Sequence, residues 1–209
     1  MSDDANFEVH ISNIIKKAKQ KIGWFCRSFR NREIEFMRKM YVSYIRPQLE
    51  YCSVLWGPPC GPVLDKIEKV QYDFLKLVPS LKNLSYSEKL KRMKITSMER
   101  RFDRYRIFYI RKMLLGKVRN IGIRIRRQEC DRNGLFLEIP DKNEHRLRKS
   151  SFLSMGPKIF NALPRDLRNL DDSTDVFKSK FDDFLSLIPD YPRVDEGSLL
   201  HSNALVDIM

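Results

Sequence analysis

Cysteine is scarce in this chain: Cys26, Cys52, Cys60 and Cys130 are the only four in 209 residues. That is too few for a disulfide framework, and they read as reduced thiols of an intracellular protein. No Cys-x-x-Cys occurs, Cys52 and Cys60 are separated by Pro58-Pro59, and His10, His145 and His201 have no cysteine or carboxylate at ligand spacing. These spacings argue against a zinc site, and Cys52 reads as a small buried side chain. No window of 18 apolar residues occurs, so no membrane span is expected. The opening MSDDANFEVHISN is polar and acidic, without the basic and apolar regions of a secretory signal. The chain is therefore expected to stay inside the cell, with nucleus and cytoplasm both open. A phosphate loop, a nucleophile elbow and internal repeats are also missing, and no metal or other cofactor is expected.

What the chain has in excess is positive charge. Lys and Arg number 40 against 27 Asp and Glu, for a net charge of +13. The excess is concentrated. Residues 100–127 hold eleven basic residues and one acid, whereas residues 171–209 hold nine acids and three bases. A basic centre points to a polyanionic partner, most often nucleic acid, or else to solvated helix faces. With 42% hydrophobic residues, the chain has enough apolar material to fold.

Helical periodicity dominates. Apolar positions recur at Phe7, Ile11, Ile14, Ile15, Ala18, Ile22 and Phe25, with Lys16, Lys17, Lys19 and Lys21 mostly between them. A second helix runs over 32–46, where Pro47 predicts a bend and disfavours helical geometry at Arg46. Tyr51 and Trp56 are expected to pack beyond the bend, before Gly57-Pro58-Pro59 closes the segment. A third helix covers 62–78, with Pro62 in its first turn. Ser85 and Glu88 form a capping box for a short helix to Met93. Thr96 and Glu99 suggest another, opening a long helix to about Leu115 that Gly116 stops. Around Asn133-Gly134 the period changes: Ile121, Ile123 and Ile125, then Leu135, Leu137 and Ile139, alternate with other residues. That alternation allows a short β-hairpin near 120–139. EHRLRKSSF reads as a basic loop, helices return at 151–162 and 173–188, and the end reads as a tail. The expected fold is a mainly α helical bundle, divided into 1–116, 117–188 and a flexible 189–209.

On a wheel of the long helix, Met98, Phe102, Tyr105, Tyr109 and Met113 fall within about 80°. Arg100, Arg104 and Arg111 fall within about 40° on the other side, flanked by Arg101. The first set reads as a core face. The second reads as a solvent-facing stripe suited to a phosphate backbone. Trp24-Phe25 and Tyr41/Tyr44 could stack bases, but aromatics at helical spacing more often belong to a core. Lys16 to Lys21 beside Phe25 also fit an amphipathic helix at a membrane surface.

The stretch YIRPQLEYCSVLWGP resembles one found beyond the catalytic palm of non-LTR (LINE-type, jockey-like) retrotransposon reverse transcriptases, through Arg46, Pro47, Leu49, Glu50, Tyr51, Trp56 and Pro58. Leu64 to Gln71 is similar to that family's hydrophobic-x-x-Ile-Glu-x-Val-Gln helix. Lys89-Leu90, Met98-Glu99-Arg100-Arg101 and Lys112 to Gly116 match its next block, with Lys89 in place of arginine. IFNALPRDL resembles its Leu-Trp-Asn-x-Leu-Pro, with Phe160 where tryptophan is usual, and DVFKSKFDDF its Ser-Phe-Lys-x-x-Leu-Asp. The blocks follow the family's order over residues 10–188.

The resemblance covers the thumb and C-terminal extension without the palm. It makes a membrane-surface role less fitting. A polymerase palm needs an aromatic-x-Asp-Asp signature to hold two divalent cations. The chain holds Asp171-Asp172 and Asp182-Asp183; the second pair fails that spacing, since Phe181 is adjacent, and reads as a solvated acidic helix face. No polymerase activity is expected. The resemblance implies a non-catalytic module that binds the phosphate backbone of RNA, DNA or their hybrid without sequence preference. The candidate contacts are Arg46, Arg100, Arg101, Arg104, Arg111, Lys117, Arg119, Arg124, Arg126 and Arg127. A helical module for a protein partner or self-association, and a retroelement remnant with no selected function, are the other readings.

Overall fold

A computed structural model describes residues 7–57, 61–126, 134–139, 152–192 and Leu205. The chain is mainly α-helical and forms two compact units. The first comprises Met1–Phe102 and Asp190–Asn203, the second Asp103–Pro189 and Ala204–Met209. The division falls inside a helix, whereas the sequence suggests Gly116.

In the first unit, α1 (Glu8–Ser28) buries Ile11, Ile14, Ala18 and Phe25 along one stripe. Then α2 (Ile34–Met40), a π-helical turn (Tyr41–Ile45) and α3 (Arg46–Glu50) follow without a break. The wide turn is how the chain takes in Pro47. Proline offers no N–H and crowds the carbonyl four residues back. Just before it, the Arg46 N–H reaches back five residues to the Tyr41 carbonyl. Arg46 itself stays helical, at φ −55° and ψ −45°, contrary to the expectation for a residue preceding proline.

The corner that follows places Cys52 in the left-handed region at φ 54°, and α4 (Ser53–Trp56) begins there. Cys52 is exposed, not buried as expected, because the corner turns it outward. Tyr51 is 72% exposed, so of the expected aromatic pair only Trp56 enters the core. Helix α5 (Pro62–Leu75) buries Leu64, Ile67, Val70 and Phe74, with proline in its first turn. A 3-10 turn (Pro79–Leu81) leads to α6 (Tyr86–Met93), where both halves of the Ser85/Glu88 capping box form.

Helix α7 (Met98–Leu114) starts at a different cap from the expected one. Ser97 Oγ accepts from the Arg100 N–H at 3.4 Å, while the Thr96 carbonyl accepts from Gln71. Its end is as expected. Gly116 takes φ 67°, its N–H bonds to the Met113 carbonyl, and the Lys117 N–H bonds to Lys112. These two bonds are a Schellman motif.

In the second unit, α8 (Phe152–Ala162), α9 (Arg165–Arg168) and α10 (Thr174–Leu187) follow. Gly156 lets α8 lie close to the second half of α7: a Cβ there would sit 2.7 Å from Ile110 Cδ1. The alternating segment forms an antiparallel bridge between Ile125 and Leu137, flanked by Arg126 N–H to Phe136 O and Glu138 N–H to Arg124 O. Asn161 secures it, accepting the Leu137 N–H and donating to the Leu137 carbonyl, each at 2.8 Å. Asn133 and most of EHRLRKSSF lie outside the described residues, as do Cys60, Cys130, His145 and His201. So does most of the expected tail, although the Asp190 carboxylate accepts the Ser97 N–H at 2.8 Å. Among the described residues no helix is long and apolar enough to cross a membrane.

Candidate nucleic-acid interface

Helix α7 is buried on more than the face its apolar residues predict. Met98, Phe102 and Met113 are buried, but so are Arg100, Asp103, Arg106 and Arg111. The wheel places Met98, Phe102 and Met113 correctly, but Tyr105 and Tyr109 are only half-buried, and the fully buried Ile107 lies about 20° from Arg100, so the side read as basic is itself packed. Arg100 and Arg111 are each only 2% exposed, which corrects the expected solvent-facing stripe.

For Arg111 the reason is pairing. Arg111 donates to the carbonyls of Asn169, Leu170 and Asp172, and its guanidinium lies 4.2 Å from the Phe177 ring centroid. It therefore satisfies the turn leading into α10 while its flat face covers an aromatic. Arg104 grips Asp182 through two bonds of 2.6 Å each and stacks on Phe108. One member of the Asp182-Asp183 pair is thus an ion-pair partner, not a freely solvated acid. Arg106 pairs with Asp103 at 2.7 Å, where both side chains are buried.

In the first unit, Arg101 forms a fork with Glu50, at 2.6 and 3.1 Å, and Arg46 Nε approaches the same carboxylate at 3.6 Å. Lys117 donates to Thr174 Oγ1. Arg119, Arg124 and Arg126 are exposed, and Arg127 lies outside the described residues. Among the candidate cations, Arg46, Arg101, Arg104 and Arg111 make contacts within the fold, Arg100 is buried, and the exposed ones follow Gly116. Arg111→Ala is therefore expected to lower the unfolding free energy by about 2–4 kcal/mol, because three carbonyls lose their donor. Urea unfolding checks this. Unchanged stability with weakened polyanion binding would return Arg111 to the surface.

Glu68 and Gln71, both in the Ile-Glu-x-Val-Gln stretch, build a second polar cluster, also buried. Glu68 Oε1 accepts from the Tyr86 hydroxyl and from Gln71 Nε2, and Oε2 accepts the Met98 N–H at 2.7 Å. Gln71 accepts from the Tyr41 hydroxyl and donates to Tyr86 and to the Thr96 carbonyl. Burial pushes the Glu68 carboxyl up to about 8, against the Tyr86 hydroxyl and Met98 amide that donate to it, with Asp190 adding to the rise. Burial also raises the Tyr41 and Tyr86 phenols well above their ordinary value. The cluster is enclosed and its polar groups bond to one another, so its role is to join α5, α6 and the π turn to the start of α7.

The accessible basic feature lies elsewhere, between α1 and α5. A groove of about 740 Å³ is lined by Ser12, Ile15, Gln20, Gly23 and five cations: Lys16, Lys19, Arg27, Lys66 and Lys69. All five are exposed, and no acid lines the groove. The lysines of α1 are visible in the sequence. Lys66 and Lys69 join them only because α5 packs along α1. No group of three metal-ligating side chains occurs among the described residues. Comparison of the chain with protein-family models, curated proteins and solved structures finds no match.

Proposed function

We propose that this protein is a non-catalytic module that binds the phosphate backbone of nucleic acid without sequence preference. On this reading it is the thumb-like portion of a non-LTR retrotransposon type of reverse transcriptase. The single observation that supports it best is the α1/α5 groove, where five exposed cations converge without an acid among them. Such a surface attracts a polyanion, because each phosphate neutralised releases condensed counterions. Arg119, Arg124 and Arg126 supply a second exposed basic stretch. Phosphate contacts position a nucleic acid but do not read its sequence.

Titration of an RNA–DNA hybrid at several salt concentrations tests this. Five phosphates engaged predict a log–log slope of about −4.5, with similar affinity for unrelated sequences. Replacing Lys19, Lys66 and Lys69 together by Ala should flatten the slope by about 2–3 units. A flat salt response, or binding untouched by these substitutions, would overturn the proposal in favour of a protein-interaction module.

A further inference from the structure

Two large aromatics that helical spacing would place in a core instead face solvent on the same unit. Trp24 of α1 is 48% exposed and Tyr44 of the π turn 53%, whereas their sequence neighbours Phe25 and Ile45 are buried at 2% and 1%. Between the two exposed rings lies a cleft of about 140 Å³, lined by Lys21, Trp24, Phe25, Met40, Tyr44 and Ile45. Its floor is apolar. Its one charged lining residue is Lys21, whose Nζ donates to the Tyr44 carbonyl at 3.2 Å and so stays at the cleft's edge. Trp24 is braced from behind by Phe29, edge to face at 5.7 Å. The π turn contributes as well, because it carries Tyr44 between the buried residues Tyr41 and Ile45.

The volume is below the ~300–1,000 Å³ of ordinary small-molecule sites. It suits one flat ring inserted edge-on, with the rest of the ligand outside. The cleft also adjoins the basic groove along α1. Lys21 and Trp24 line the one, while Gln20, Gly23 and Arg27 line the other, on neighbouring flanks of the same two turns. A ligand that fills both needs an apolar planar group attached to a chain of negative charges. A nucleobase on a phosphodiester backbone has that chemistry, but only when unpaired, since a duplex stacks its base faces away from any side chain.

We propose that the Trp24–Tyr44 cleft takes an unpaired base from a single-stranded segment, stacked against the exposed rings, while Lys21 and the α1/α5 groove hold the flanking phosphates. The proposal rests on the nucleic-acid reading above and deepens it, because it names the strand state that the surface prefers.

The test uses the full chain and three probes of equal length: an oligothymidylate, its abasic counterpart with the same charge spacing, and a blunt duplex. The oligothymidylate is expected to bind roughly ten-fold or more tightly than the abasic strand, the size of one stacked base. Trp24→Ala and, separately, Tyr44→Ser should each erase most of that advantage and leave the salt slope unchanged. Trp24→Phe should keep most of it. Both exposed positions should tolerate replacement with little change in melting temperature, and a variant that melts early is set aside for the other.

Equal affinity for thymidylate and abasic strands, with both substitutions silent, would overturn this inference and leave phosphate binding intact. No binding to any of the three probes would overturn both. Self-association that both variants abolish, with oligothymidylate affinity unmoved, would assign the cleft to a second copy of the chain and overturn the base-stacking reading.

Discussion

Glu68→Ala is expected to lower the unfolding free energy by about 3–5 kcal/mol, the size seen when one partner of a buried polar network is removed. Three donors converge on this carboxylate: the Tyr86 hydroxyl, Gln71 Nε2 and the Met98 N–H. The substitution strands the Tyr86 hydroxyl and the Met98 N–H, costs Gln71 one of its acceptors while the Thr96 carbonyl stays, and leaves a void in a close-packed interior. Met98 is the first residue of α7, so the damage includes the start of that helix.

Glu68 also sets a pH dependence. Its folded-state carboxyl is raised to about 8 from an ordinary 4.5 by burial. The native state therefore holds a proton that the unfolded chain has released between those two values. Its contribution to stability is fully present below about 4.5 and is lost as pH rises through about 8. Thermal melts from pH 5 to pH 9 should show a falling melting temperature in the wild type. Glu68→Gln should lack that fall. A wild-type melting temperature that stays level across the range would show that the three donors keep Glu68 ionised throughout.

Trp56→Ala should be comparably damaging, at about 3–5 kcal/mol. The indole is 5% exposed, meets Phe102 edge to face at 5.7 Å and His10 at 5.6 Å, and donates from Nε1 to the Tyr51 carbonyl at 2.8 Å. Truncation removes both ring contacts and strands the carbonyl at the corner before α4. Trp56→Phe should recover most of the loss but not the hydrogen bond, worth about 1 kcal/mol. Tyr51→Ala, five residues earlier and 72% exposed, should change stability by no more than about 0.5 kcal/mol. Chemical unfolding of the three variants decides the point, and a Trp56→Ala protein as stable as wild type would place the indole outside the core.

The motif residues that suggest a family resemblance have a direct structural account. Glu50 and Arg101 come from separate blocks and form a forked ion pair. Glu68 and Gln71 occupy one helix, and Met98, from the next block, donates to Glu68. Asn161 of IFNALPRDL holds the backbone of Leu137 on both sides. Each is a polar side chain whose partner lies far along the chain. Such residues specify how elements dock, which is a role in folding whatever the protein binds.

Local features were legible in the sequence because their atoms lie within about one helical turn. The Ser85/Glu88 capping box, Pro62 in a first turn and the Gly116 stop are such features, and so are the apolar stripes of α1 and α5. Each depends on backbone geometry and on residues three to five positions apart, so the order of residues suffices. The choice between Thr96 and Ser97 as cap of α7 was not legible, because the Thr96 carbonyl is engaged by Gln71, 25 residues earlier. Charge was legible as a sum but not as a surface. A helical wheel gives the direction of Arg100, Arg104 and Arg111, yet whether a guanidinium meets water, a carboxylate or an aromatic ring depends on what packs there. Tertiary structure placed Asp182 against Arg104 and Phe177 beneath Arg111, and it set Lys66 and Lys69 beside the lysines of α1. It also left Trp24 exposed while burying Phe25, since adjacent helical residues point about 100° apart: Phe25 meets Phe36 and Phe74, whereas Trp24 stands at the cleft it shares with Tyr44.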